Sequence, residues 1–213
     1  MKKIMFNDKY GLTDAVLQGR KTMTRRILDY EKYKKTWDDM CRLGTPCFDT
    51  FDDFLIKRAS RYKVGEVVAV AQSYQTILDT VFREDQQWKY GYMRDVEESH
   101  EKMWEDIKGR TNKMFVKADL MPYQIRITDI KVERMQDCSN DDILKEGIFQ
   151  ISAPIYRHYN GIGYTFKEWT DRGVECSSDT PKGAFKALID KTCGRGTFES
   201  NPYVFAYSFK LLD

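Results

Sequence analysis

The sequence predicts an α+β fold, a mixed antiparallel β-barrel with helices around its rim. Three observations lead there. Apolar runs such as Val67-Val68-Ala69-Val70-Ala71 and Tyr203-Val204-Phe205-Ala206-Tyr207-Ser208-Phe209 have the length and composition of strands. Between them lie segments with helical periodicity and recognisable caps. The aromatic share of 14%, with 13 Tyr and 12 Phe, suits strand surfaces. No repeat, low-complexity tract or flexible linker interrupts the chain, so one domain over residues 1–213 is expected, with helical insertions at about 28–60 and 75–112.

The elements follow in order. Lys3 to Phe6 reads as a first strand, and Leu12, Ala15 and Val16 mark a helix from about Tyr10 to Gln18, closed by Gly19. Tyr33, Trp37 and Met40 form the apolar stripe of a helix over 31–43, and Phe51, Phe54 and Leu55 suggest another short one. Lys63-Val64-Gly65-Glu66 is a turn into the buried strand at Val67. Val96, His100, Met103, Trp104 and Ile107 share one face of a further helix, where His100 reads as a packing residue.

Phe115-Val116 and then Tyr123 to Met135 read as strands. In the second, the apolar phase switches near Asp129, as a bulge or bend would make it. Ser139 caps a short helix carrying Ile143 and Leu144, and Gly147 ends it. Residues 150–178 look irregular. Thr180-Pro181 opens a helix that buries Phe185, Leu188 and Ile189 and stops at Gly194, and Tyr203 to Phe209 is the last strand.

Composition narrows the function. With 35 basic and 33 acidic residues the net charge is only +2, so any nucleic-acid binding must come from a local patch. No apolar run of about 18 residues indicates a membrane span, and the N-terminus lacks a signal peptide's apolar core, so a cytoplasmic protein is expected. The five cysteines form no CxxC, and His100 and His158 are the only imidazoles. Neither a metal site nor a cofactor is expected.

One local patch stands out. Gly19-Arg20-Lys21-Thr22-Met23-Thr24-Arg25-Arg26 packs four cations and two hydroxyls into eight residues without an acid. Such a cluster suits a polar or anionic ligand, although most charge runs are simply solvated. Lys21 and Thr24 can converge if the backbone turns. A lysine amine desolvated among arginines loses its proton more readily and can then activate a threonine hydroxyl. Glu146 stands in the last turn of its helix, against the negative end of the dipole. It reads as an exposed surface acid, marked only because it breaks a local rule.

The basic motif, the Gly65-Glu66 turn into a hydrophobic strand, Met121-Pro122, Arg126-Ile127-Thr128-Asp129-Ile130, Asp141-Asp142-Ile143-Leu144-Lys145-Glu146-Gly147-Ile148 and Asn201-Pro202-Tyr203-Val204 occur in one order along nearly the whole chain. In that order they resemble the ASCH domain, a relative of the PUA fold, and most nearly its phage and prophage branch. The chain departs from that pattern at Ala69-Val70-Ala71-Gln72, where relatives carry an aromatic residue and an Arg-Glu pair.

The resemblance implies a PUA-like barrel. It also implies binding of RNA or a modified nucleoside in a cleft beside the basic motif, with Arg20, Thr22, Arg25 and Arg26 as ligand contacts and Tyr74 or Tyr203 stacking on a base. One branch of the family hydrolyses the amide of N4-acetylcytidine. By that likeness Lys21, Thr24 and Glu146 would be the catalytic residues of an amidohydrolase. A third reading is a phage accessory protein that binds a host protein through its inserted helices.

Overall fold

The computed structural model describes residues 1–44, 47–85, 98–152, 162–166 and 178–212. Its described strands and helices are β1 (Lys2–Ile4), α1 (Leu12–Leu17), β2 (Met23–Ile27), α2 (Tyr30–Arg42), α3 (Phe51–Phe54), β3 (Val67–Val70), α4 (Tyr74–Asp85), α5 (Glu98–Glu105), α6 (Ile107–Thr111), β4 (Gln124–Arg134), α7 (Asn140–Lys145), β5 (Phe149–Ser152), β6 (Ile162–Thr165), α8 (Pro181–Cys193) and β7 (Tyr203–Leu212).

The fold is α+β, but the expected closed barrel is not what forms. Five strands make one mixed sheet in the order β1-β3-β4-β7-β2, so β1 and β2 are its two edges, and β5 and β6 form a separate hairpin. β1 runs parallel to β3, with Lys3 opposite Ala69. β2 runs antiparallel to β7, with Thr24 opposite Tyr207 and Arg25 opposite Ala206. A parallel pair needs a long crossover, and here Asn7–Glu66 lies between the two paired strands.

The chain divides into two compact units. The first comprises Met1–Phe6, Val67–Ile125 and Leu212–Asp213. Its core gathers Ala69, Ala71, Tyr74, Leu78, Met103 and Met121. Gly109 lies so close to the Tyr74 ring that an added Cβ would sit 2.3 Å from Cε2. The expected helix through Ile107 breaks at Asp106, whose side chain accepts from the Gly109 amide and starts α6, so Ile107 is 81% exposed rather than on the apolar stripe. Val96 and the side chains of His100 and Trp104 lie outside the described residues. Phe115-Val116 is not a strand: the Phe115 amide closes a turn onto the Asn112 carbonyl. Val116 alone has the burial, and a turn residue such as Phe115 can stay exposed without losing backbone bonds.

The second unit comprises Asn7–Glu66 and Arg126–Leu211. Its helices start where the sequence places their caps. Ser139 accepts from the Asp142 amide at 3.1 Å, and Thr180 accepts from the Gly183 amide at 3.1 Å. In β4 the buried positions move from Ile125 and Ile127 to Ile130, which is the expected change of phase. Within 150–178 the chain forms the β5–β6 hairpin, with Ile151 opposite Gly163. The alternation there is too short and glycine-rich to register as strand in the sequence. Gly161, Gly173, His158 and Cys176 lie outside the described residues. α7 packs against α8 and β2, which brings the helix carrying the Glu146 cap onto the strand of the basic motif.

Candidate functional site

Two short helices end beside each other, each at a glycine with positive φ. After α1, Gly19 at φ +72° lets the chain turn back, and the Lys21 amide donates to the Ala15 carbonyl at 2.8 Å. After α7, Gly147 at φ +93° does the same, leaving Glu146 as the helix C-cap. L-residues with a side chain avoid this region, so both reversals call for glycine. The two turns join: Lys21 and Glu146 form an antiparallel bridge, and the Thr22 amide donates to the Lys145 carbonyl at 2.9 Å.

The side chains meet as well. Lys21 Nζ donates to Glu146 Oε2 at 2.5 Å and to the Glu146 carbonyl at 2.8 Å. It thus satisfies the C-cap carbonyl of α7. Arg25, on β2, donates through Nη1 to Glu146 Oε1 at 3.0 Å and through Nε to Glu133 Oε1 at 2.8 Å. Glu133 belongs to β4. Lys21, Arg25 and Glu146 are all buried, so the expectation of Glu146 as an exposed acid is overturned. Burial there is tolerable because two cations share the carboxylate and oppose the α7 dipole.

The electrostatics follow from that burial. Desolvation lowers the proton affinity of the Lys21 amine, more than the attraction of Glu146 raises it; Arg26 and Arg25 push it down further. Burial also works against the Arg25 charge, but Glu146 and Glu133 outweigh it and hold the guanidinium above its ordinary value. Cys138, buried near them, has its thiol pushed up chiefly by burial, so it is no thiolate nucleophile.

Arg25 Nη2 lies 2.8 Å from Glu133 Oε1, so Glu133 faces both Nε and Nη2 of the guanidinium. Thr24 is 5% exposed, and among the described residues its hydroxyl has no hydrogen-bond partner. Strand alternation puts Thr24 and Arg25 on opposite faces of β2, Thr24 opposite Tyr207. Of the three expected catalytic residues, then, Lys21 and Glu146 are joined by a hydrogen bond, and Thr24 is bonded to neither.

The other expected contacts divide. Arg20 donates to the Gln18 side chain at 2.8 Å and lies 5.2 Å from the Phe149 ring centroid. Thr22 is half-buried and Arg26 is exposed. Arg25 is committed to two carboxylates, so it is no phosphate clamp. The stacking roles are corrected outright. Tyr74 is completely buried, and its hydroxyl accepts from the Lys117 amide at 2.7 Å. Tyr203 stacks on Tyr30 at 3.8 Å, and the Arg134 guanidinium lies 3.8 Å from the same ring centroid. A ring filled at that distance by two groups has no face left for a base. Glu133 and Cys138 were not foreseen, and their neighbours in sequence carry no signal for them.

Among the described residues no group of His, Cys, Asp and Glu side chains is placed to hold a metal ion, and no helix is long and apolar enough to cross a membrane. No family model, curated protein or solved structure matches the chain. The ASCH resemblance therefore rests on the sequence motifs.

Proposed function

We propose that the chain is an ASCH-like, PUA-related protein that binds a modified nucleoside at the Lys21–Glu146 pair. The observation that carries this reading is the buried cluster itself: Lys21 and Arg25 share the Glu146 carboxylate, and Glu133 holds the far side of Arg25. The cations of this cluster already face carboxylates, which gives a phosphate little reason to enter and favours a neutral ligand. The ligand is accordingly the nucleoside, not a length of RNA backbone.

A specific observation favours hydrolysis as well as binding. Burial favours the neutral form of the Lys21 amine, the form that can accept a proton, and a buried carboxylate stands 2.5 Å away. For N4-acetylcytidine the neutral Lys21 amine would take the proton of the Thr24 hydroxyl, or of a water, as that oxygen adds to the acyl carbon. The C–N bond then breaks, and the proton passes to the leaving amine. With Thr24 as nucleophile, water hydrolyses the acyl-threonine to acetate.

Salt dependence tests the reading. Binding of free N4-acetylcytidine by the wild type is expected to stay nearly constant between low and high salt, because no counterions are released. Loss of binding with rising salt, together with preference for unmodified RNA, would replace it with a backbone-binding module.

A further inference from the structure

The four charges at the site alternate along a row: Lys21, Glu146, Arg25, Glu133. Each Glu146 oxygen is taken by one cation, Oε2 by Lys21 and Oε1 by Arg25. At its other end Arg25 is gripped by Glu133, whose Oε1 lies 2.8 Å from both Nε and Nη2. The Arg25 guanidinium also lies 5.6 Å from the Phe185 ring centroid, on the α8 side. Its side chain is 1% exposed and that of Glu133 is 19% exposed, so Glu133 is the end of the row nearer to water.

We propose that Arg25 and Glu133 are positioning residues: Glu133 fixes Arg25, Arg25 fixes the Glu146 carboxylate toward Lys21, and this row of charges decides how readily Lys21 gives up its proton. The physical reason is the permanence of the arginine charge. Arg25 keeps its positive charge throughout the ordinary pH range, so it stands beside the Lys21–Glu146 pair as a fixed cation that disfavours a second positive charge on the Lys21 amine. Glu133 then keeps Arg25 from acting as an uncompensated positive neighbour.

Other charges facing the cluster are Arg26 on β2, which acts on Lys21; Asp142 of α7, on which Arg25 acts; and Lys182 of α8 and Cys138, which act on each other. The catalytic use of this arrangement rests on the function proposed above; its effect on the Lys21 proton does not.

The test reads the Lys21 side-chain nitrogen directly, by NMR of protein labelled with ¹⁵N-lysine, the Lys21 signal being identified by its loss in Lys21→Met. Glu133→Gln removes a negative charge from the row and should move the Lys21 titration to lower pH. Arg25→Gln removes a positive charge and should move it to higher pH. Glu133→Asp, which keeps the carboxylate, should restore most of the wild-type position. A purely structural role predicts something else: loosening lets water in, and every variant moves toward the ordinary lysine range.

An unchanged titration in Glu133→Gln, or an upward move, overturns the proposal. Should Arg25→Gln fail to fold, the Gln and Asp variants at 133 decide alone. A titration that moves as stated in a protein that neither binds nor hydrolyses N4-acetylcytidine leaves the row standing and removes the function. Turnover lost in Lys21→Met but unmoved in rate and pH profile by Glu133→Gln does the reverse.

Discussion

Lys21 Nζ lies 2.5 Å from Oε2 of Glu146, a residue 125 positions further along the chain. Two glycine-ended helix turns hold the pair, and Arg25 takes the remaining carboxylate oxygen. The connection makes Glu146 the shared counter-ion of two buried cations, and the consequences are unequal for its partners.

Removing Glu146 should therefore cost more than removing Lys21. Glu146→Ala leaves the buried Lys21 without a carboxylate and Arg25 with Glu133 alone, and a loss of about 3–5 kcal/mol in stability is expected. Lys21→Met leaves Glu146 paired with Arg25 and should cost about 1.5–3 kcal/mol. Urea denaturation of both variants checks the order.

Stability should also carry the mark of Lys21 in its pH dependence. The folded amine releases its proton at lower pH than the unfolded one, mainly because burial disfavours the charge. Between the two values the unfolded chain binds more protons, so the contribution of this residue to stability rises with pH. The slope is at most about 1.4 kcal/mol per pH unit, ending near the ordinary lysine value. Tyr62 and Cys138 titrate in the opposite sense, being raised mainly by burial. The difference between wild type and Lys21→Met isolates the lysine: below that end point, the wild type should gain more with rising pH than the variant does.

Thr24→Val should separate folding from function. The threonine hydroxyl takes no hydrogen bond among the described residues, and a valine keeps the β-branched shape in an extended strand. Stability should stay within about 0.5 kcal/mol of wild type or rise. Acetate release from N4-acetylcytidine, measured enzymatically, should be lost if this hydroxyl attacks the acyl group. Retained release assigns the attack to water.

Much of the fold was legible because its signals are local. Gly19, Gly147, Ser139 and Thr180 announce helix ends through the conformation or hydrogen bond that each residue type supplies over three or four positions. The phase change in β4 could be read from apolar spacing alone. What escaped is non-local. Nothing near Glu146 says that two cations will arrive from residues 21 and 25, so its sequence neighbourhood reads as surface. Glu133 sits among other charged residues, and only the neighbouring strands and helices select it. Tyr74 and Tyr203 read as stacking platforms because exposure is not a property of the residue. The barrel was a topological inference, and the parallel β1–β3 pair is invisible to alternation.

Gly147 ties this local grammar to the site. An alanine there meets no clash, the nearest atoms being Ala15 Cβ and Lys21 Cβ at 3.5 Å, but it must adopt φ +93°. Gly147→Ala should cost about 1–2 kcal/mol through backbone strain and tilt Glu146 away from Lys21. Ligand affinity should fall along with the melting temperature, whereas a variant of equal instability made in the first unit should lower the melting temperature alone.

The central claim is that the buried Lys21–Glu146 pair receives a nucleoside. Titration calorimetry with N4-acetylcytidine and cytidine, run on wild type, Lys21→Met and Glu146→Gln, tests it most directly. The account predicts saturable heat or acetate release with the wild-type protein, and its loss in both folded variants. A wild-type protein that neither binds nor turns over either nucleoside, or variants that bind as well as the wild type, would contradict it.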